Sequence, residues 1–408
     1  MMRHVTSVDA LDFAALIRPG EHVLFGEGAA EPVTIAEAFV AARARLGRPT
    51  VFLGMTLAGT FRAEHADHLA FRSYGALGMT RRLADAGVLD ILPIGLGQIP
   101  ALLARGALRF DVVIIAVPPA GADGRHALGL TALYQLDAIR SARLVIAEVN
   151  HALPTIPGAS IDPADIHVLV ETHRAPPELA PPNIGSAARE TARLAAGFIE
   201  DGATLQLGVG AIPEALCAEL AEHRGLGIHS GLLGSGLGRL IAQGVVDREA
   251  VVGAVMGDAS LYRFVDGNQA IRLAGIETTH GQAGSVANLV AVNGALEVDL
   301  SGQVNGEVAG GRYVGAVGGQ AEFARAAARA PKGRSIFVLN ATTRGESASS
   351  ITASPVARVT TTRADVDVVV TEFGAAELTG CGEAERRRRL IAIAHPRFRD
   401  TLEEQSHG

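Results

Sequence analysis

The sequence predicts an α/β protein of two pseudo-symmetric domains, each a mainly parallel sheet flanked by helices. Three observations predict it. The strand-like segments are continuous apolar runs rather than alternating ones, the pattern of strands buried on both faces. Glycine-containing turns join these runs to helical patterns. The order of these features in the first half of the chain returns in the second half.

The first copy opens with the apolar run Val23–Phe25, the turn Gly26-Glu27-Gly28, Pro32, and a helical pattern to about Leu46. About 180 residues later, Leu205–Leu207 leads into Gly208-Val209-Gly210, Pro213, and a helical pattern to about His223. Proline near a first helical turn costs little, because the N–H it lacks has no helical partner there. Val51–Leu53 closes on Gly54, as Gly227–Ser230 closes on Gly231. Val112–Val117 is followed by a turn at Asp123-Gly124, and Leu289–Val292 by one at Ser301-Gly302. Leu144–Val149 ends at Asn150, and Ser335–Leu339 ends at Asn340. Four matches in one order imply a duplicated α/β unit. Pro176, Pro177, Pro181 and Pro182 mark the boundary, giving domains 1–180 and 181–408. A chain of 408 residues is long for one core and suits two. Ligands of such folds bind beyond the carboxyl ends of the strands, often where domains meet.

Composition narrows the function. Hydrophobic residues make up 48% and charged residues 19%, which excludes a disordered chain. Glycine supplies 48 residues, well above the usual share of roughly 7%, and implies many tight turns or close backbone approaches to a ligand. Aromatics are 4%, with no Trp, and the net charge is −7. A base-stacking platform or a general nucleic-acid surface is therefore not expected. The run Arg386–Arg389 reads as a solvated helix face. Cys217 and Cys381 make neither a metal spacing nor a disulfide framework, so a reducing cytoplasm is expected. No signal peptide and no membrane-length apolar run is visible.

The chemical motifs are weak one by one. Glu64, His65, Asp67 and His68 crowd together, but without a distant partner they read as solvated or capping residues, and no metal is expected. Gly227-Ile228-His229-Ser230-Gly231 has one residue too many before the serine for a nucleophile elbow. The two Gly-x-Gly turns lack the third glycine of a dinucleotide fingerprint. Each still points backbone N–H groups at a helix N-terminus, which suits phosphate or an oxyanion, although tight-turn geometry alone also explains them. Gly315-Ala316-Val317-Gly318-Gly319-Gln320 exposes backbone donors that suit the oxyanion of an attacked thioester.

Taken in order, these segments resemble the acetyl-CoA hydrolase/transferase family, which includes 4-hydroxybutyrate and acetate CoA-transferases, from about Ile17 to about Leu402. The resemblance rests on Gly26-Glu27-Gly28 with Glu31-Pro32, Pro118-Pro119 through Gly124, Ile146–Asn150, Gln206–Pro213 and Ala295–Asn305. It continues at Gly318-Gly319-Gln320, Val370–Gly374 and Ile393–Pro396. It implies the two-domain CoA-transferase fold, with a coenzyme A thioester as substrate, no permanently bound cofactor, and a homodimer or larger assembly. A small carboxylic acid or water is the implied second reactant. In the family a glutamate attacks the acyl-CoA, an acyl-glutamyl anhydride becomes a glutamyl-CoA thioester, and an acceptor carboxylate takes the CoA. By position, Gly318 or Gly319 resembles the oxyanion donor. Gly208, Val209, Gly210, Gly315, Gln320 and Asn293 fall on the CoA side. Gly26, Gly28, Glu31, Asn150, His229 and Ser230 fall on the acyl side.

One departure changes the expected chemistry. The family's glutamate follows a His-Ser or His-Thr pair; here that pair is His229-Ser230, and Gly231 follows. A glutamyl-CoA cannot form at a glycine. Further departures are Ser349-Ser350-Ile351, where the family carries Ser-Arg-Ile, and Ala127, where members often have Ser. Three expectations follow. Water replaces the glutamate and the CoA ester is hydrolysed or otherwise cleaved, with Glu297, Glu27 or Glu31 as base; each of these is also plausibly a structural carboxylate. Transfer continues through another nucleophile. Or the chain binds acyl-CoA without turnover.

Overall fold

The computed structural model describes residues 3–5, 7–343 and 347–405. The chain separates into two compact units. Unit 1 comprises Met1–Ala180, Val251–Thr279 and Arg312–Ala316; unit 2 comprises Pro181–Ala250, His280–Gly311 and Val317–Gly408. The second half of the chain thus returns two segments to unit 1.

Unit 1 holds an eight-stranded, wholly parallel sheet. Its order is Arg3–Val5, Val168–Thr172, Leu144–Asn150, Val112–Val117, His22–Phe25, Thr50–Phe52, Ala70–Ser73 and Leu89–Ile91. The central strands are buried along their whole length, as the apolar runs require. Helix Val33–Ala42 turns Val33, Ile35, Ala36, Phe39 and Val40 inward. Phe39 meets Phe13 and Phe25 edge to face in the core of this unit. The start of that helix is satisfied from the sheet. Glu148, buried on strand Leu144–Asn150, accepts the Ile35 N–H at 3.0 Å and the Thr172 hydroxyl at 3.1 Å. Burial raises the Glu148 carboxyl above its ordinary range. The returning segments join the same unit: Thr131 bridges Ala254, Leu133 bridges Gly275, and Gly158 bridges Leu273.

Unit 2 repeats the plan. The strands run Gly227–Leu233, Thr204–Leu207, Leu289–Gly294, Arg334–Val338 and Val368–Thr371, all parallel, with Gly374–Glu377 added antiparallel. Strand order confirms the internal echo. His22–Phe25 corresponds to Thr204–Leu207, Thr50–Phe52 to Gly227–Leu233, Val112–Val117 to Leu289–Gly294, and Leu144–Asn150 to Arg334–Val338. Helix Gln320–Arg329 packs on Leu289–Gly294 and Arg334–Val338, burying Phe323, Ala324 and Ala327.

Several motifs quoted above now have a structural reason. Asp299 Oδ1 accepts the N–H groups of Ser301 and Gln303 and the Ser301 hydroxyl, which closes the turn before Gly302. Thr371 donates to the Ile393 carbonyl at 2.6 Å, and Phe373 meets the ring of His395, joining the last two motifs. His65 Nδ1 accepts the Arg62 N–H and caps a short helix, as its polar neighbourhood suggested. Among the described residues no group of His, Cys, Asp and Glu is arranged to hold a metal, and no helix is long and apolar enough to cross a membrane.

Candidate active site

Three neighbouring parallel strands of unit 2 carry candidate residues towards their carboxyl ends. Thr204–Leu207 runs into Gly208-Val209-Gly210, Gly227–Leu233 carries His229, Ser230 and Gly231, and Leu289–Gly294 carries Asn293. Asn293 donates to Gln206 Oε1 at 3.0 Å, so the ends of two adjacent strands are tied together. A Cβ on Gly208 would meet the Val292 carbonyl at 3.7 Å, an ordinary contact. Packing therefore does not require glycine at that position. Gly210 stands at φ 135 and caps helix Ala211–Glu219, while Val209 is exposed.

The fourth contribution is the start of helix Gln320–Arg329. Gly318 adopts φ +54, a conformation costly for other residues, and Gly319 is the helix N-cap. Gln320 anchors this turn by donating from Nε2 to the Gly294 carbonyl at 2.7 Å. The helix start thus lies beside the strand end that carries Asn293. Backbone N–H groups at a helix start and its dipole favour negative charge.

Against this turn stands a residue that no sequence motif marked. His280 lies in a π-helical turn, Glu277–Gly281, a feature frequent at functional sites. Its imidazole packs on Phe323 with ring centroids 4.7 Å apart. A Cβ on Gly231 would lie 3.1 Å from its Cε1 and 3.3 Å from its Nε2, and a Cβ on Gly319 would collide with Nε2. The absence of a side chain at 319 is what lets this ring sit there, and a side chain at 231 would crowd it. Only 7% of His280 is exposed. Burial, with His229 nearby, pushes its pKa down to about 3, so the ring is neutral at physiological pH. Nothing local in Thr278-Thr279-His280-Gly281 signals this placement, because the contacts come from segments distant in the chain.

The remaining residues sort by what they touch. Ser230 is fully buried; its hydroxyl donates weakly to the Leu207 carbonyl at 3.5 Å and accepts the Leu232 N–H at 3.3 Å. Glu297 is held by its cross-strand neighbour Asn305, which donates from Nδ2 at 2.9 Å. Both ends of the Asn150 amide tie the chain locally: Nδ2 donates to the Arg174 carbonyl, and Oδ1 accepts from Ala152 and Arg174. The Gly315 carbonyl accepts the Ala76 N–H within unit 1.

The first Gly-x-Gly turn is also in unit 1. A Cβ on Gly26 would sit 3.1 Å from the Ala30 carbonyl, and Gly28 has φ +66 with Met256 close by. Glu31 accepts the N–H groups of Leu57 and Ala58, yet burial pushes its carboxyl up to about 8. Glu27 is sealed; it accepts the Met55 N–H and the Tyr74 hydroxyl, both at 2.8 Å, beneath Gly54. Burial pushes its pKa up to about 7.

Residues 4–174 match the acetyl-CoA hydrolase/transferase N-terminal domain, and residues 257–406 match the C-terminal domain of the same name. The chain belongs to the acetyl-CoA hydrolase/transferase family. It is 34% identical to the 4-hydroxybutyrate coenzyme A transferase of Clostridium kluyveri, over 93% of this chain and 92% of that one. Identity to the succinyl-CoA:cyclohexane-1-carboxylate CoA transferase of Geobacter metallireducens is 30%, over 97% and 93%. Among solved structures, RipA from Yersinia pestis superimposes with a TM-score of 0.92 at 30% identity, covering 99% of this chain and 97% of RipA. As a member of the family, the chain is an enzyme of acyl-CoA thioesters.

Proposed function

We propose that this enzyme cleaves an acyl-CoA thioester with water and does not pass through a glutamyl-CoA intermediate. The observation that carries the reading is position 231. The family resemblance puts the nucleophilic glutamate there, and this chain has glycine. What remains around it suits stabilisation of an oxyanion: a glycine turn at the start of a ten-residue helix, with N–H groups that need no reorganisation when charge develops. Such donors serve attack by water as well as attack by a carboxylate. Hydrolytic C–C cleavage of a β-keto or cyclic acyl-CoA is a variant of the same reading, since it too needs no glutamyl intermediate.

The second reading, acceptor-dependent CoA transfer, is favoured by the relatives, which are named CoA transferases. It requires a substitute nucleophile. Ser230 spends its hydroxyl on the backbone, and Cys217 is buried, with its thiol pushed up to about 12.

The two readings separate in one experiment. A panel of acyl-CoAs is incubated with the purified protein, with and without acetate or succinate, and the products are read by mass spectrometry. Free CoA and acid formed without an acceptor support hydrolysis. CoA exchange that appears only with an acceptor sinks it.

A further inference from the structure

We propose that His280 is the catalytic base of this site, its Nε2 taking the proton from the water that attacks the thioester. The inference rests on the hydrolytic reading above and names the group that carries it out.

The argument is first geometric. Two glycines that the family resemblance ties to the reaction, Gly231 at the nucleophile's position and Gly319 of the Gly318-Gly319 pair that offers the oxyanion donor, both border the same edge of one imidazole. At 231 a Cβ would press on Cε1 and Nε2, and at 319 it would strike Nε2. The ring nitrogen therefore stands at the junction of the missing nucleophile and the remaining oxyanion site. Phe323, one turn into the same helix, fixes the ring plane from the side. A base held by packing and set beside backbone donors is the arrangement that general-base attack requires.

Burial keeps the ring unprotonated at the cost of basicity, so its position carries the argument. A buried imidazole at a helix N-terminus resists protonation, because both burial and the dipole disfavour a cation. A neutral imidazole offers one acceptor nitrogen, and the proposal assigns that role to Nε2. Glu297 is held by Asn305, Glu27 is sealed in unit 1, and Glu31 is pushed towards its protonated form.

The step balances. Water oxygen bonds to the carbonyl carbon as its proton moves to Nε2. The carbonyl electron pair moves onto oxygen, where the Gly318-Gly319 turn receives it. The tetrahedral intermediate collapses, the C–S bond breaks, and the electron pair leaves on the CoA sulfur. That sulfur takes the proton back from the imidazolium, giving thiol and carboxylic acid. A strongly acidic imidazolium gives its proton readily to the far more basic thiolate.

The test uses His280→Ala in the full-length protein, assayed for acceptor-free release of CoA with and without added imidazoles of graded basicity, next to the native protein. The inference predicts a loss of about 10²–10⁴-fold in the variant. It also predicts partial recovery with imidazole, rising with the basicity of the added ring. A ring that merely fills space would restore folding irrespective of basicity, so thermal denaturation of each sample is recorded in parallel. Three outcomes overturn the proposal. The variant keeps its hydrolysis within a few fold, in which case hydrolysis stands and His280 is not its base. The variant loses hydrolysis but stays folded, and recovery is absent or independent of basicity. Or the native protein releases CoA only with an acceptor, in which case the hydrolytic reading falls and the proposal falls with it.

Discussion

The imidazole of His280 lies 3.1 Å from the place where a side chain on Gly231 would begin. A glutamate at 231 would thus crowd the ring of His280, which must shift by a few tenths of an ångström to admit its Cβ. We expect Gly231→Glu to displace the ring and cost ~1–3 kcal/mol, as overpacking of a buried site does. It should gain no CoA exchange. The double variant Gly231→Glu, His280→Ala should regain stability and transfer CoA to an acceptor acid. Thermal denaturation and product analysis of all three proteins check this; a single variant as stable as the parent would contradict the crowding.

Gly319 makes the second prediction. Its φ of −93 suits any residue, so Gly319→Ala carries no backbone penalty, only a collision with His280 Nε2. Turnover should fall by more than tenfold while the fold survives at a cost of ~1–3 kcal/mol. Retention of full activity would show that the ring can move without consequence.

Gly208 behaves differently. A Cβ there meets only ordinary contacts, so Gly208→Ala should leave stability within about 0.5 kcal/mol of the parent. If this turn receives the CoA portion, KM for the ester should rise severalfold. Unchanged KM would remove the turn from the binding site.

The pH–rate profile distinguishes the three kinds of base. A base acts only when deprotonated. Reliance on Glu31, pushed up to about 8, would lose activity as pH falls through 8, and reliance on Glu27 would lose it through about 7. With His280, at about 3, kcat/KM should stay flat from pH 9 to pH 5 on its acidic side.

Glu27 also makes stability depend on pH. Its folded pKa of about 7 lies above the ordinary 4.5, so the folded chain holds a proton that the unfolded chain has released. The contribution is fully present below about pH 4.5 and is lost as pH rises through 7. At pH 8 the full penalty is of the order of 3 kcal/mol. Glu27→Gln should therefore raise Tm more at pH 8 than at pH 5, measured by denaturation at both. An equal shift at the two values would mean that Glu27 is ionised in the fold.

Much of the architecture was legible beforehand. Most strands of the echo are legible as apolar runs and most of its turns from a glycine, because these signals are local. The return of Val251–Thr279 and Arg312–Ala316 to unit 1 was not legible. Nothing in a strand such as Ile271–Leu273 records which unit it joins. The surroundings of the candidate carboxylates were not legible either: Glu297 accepts from Asn305, Glu31 accepts two backbone N–H groups, and Glu27 lies buried against Tyr74.

The sequence by itself determined the duplicated parallel α/β plan, the membership of an acyl-CoA family, and the glycine at 231. Apolar runs, turns and ordered motifs are written in consecutive residues, and so is the glycine that stands where the family resemblance expects a nucleophile. Only the tertiary structure decided what borders that glycine. Gly231, His280 and the helix start that carries Gly319 and Phe323 come from three segments far apart in the chain, and they meet because the strand Gly227–Leu233 and the helix Gln320–Arg329 belong to one packed unit. Burial in that packing, which no local pattern encodes, also sets the protonation of His280, as packing in unit 1 sets that of Glu27.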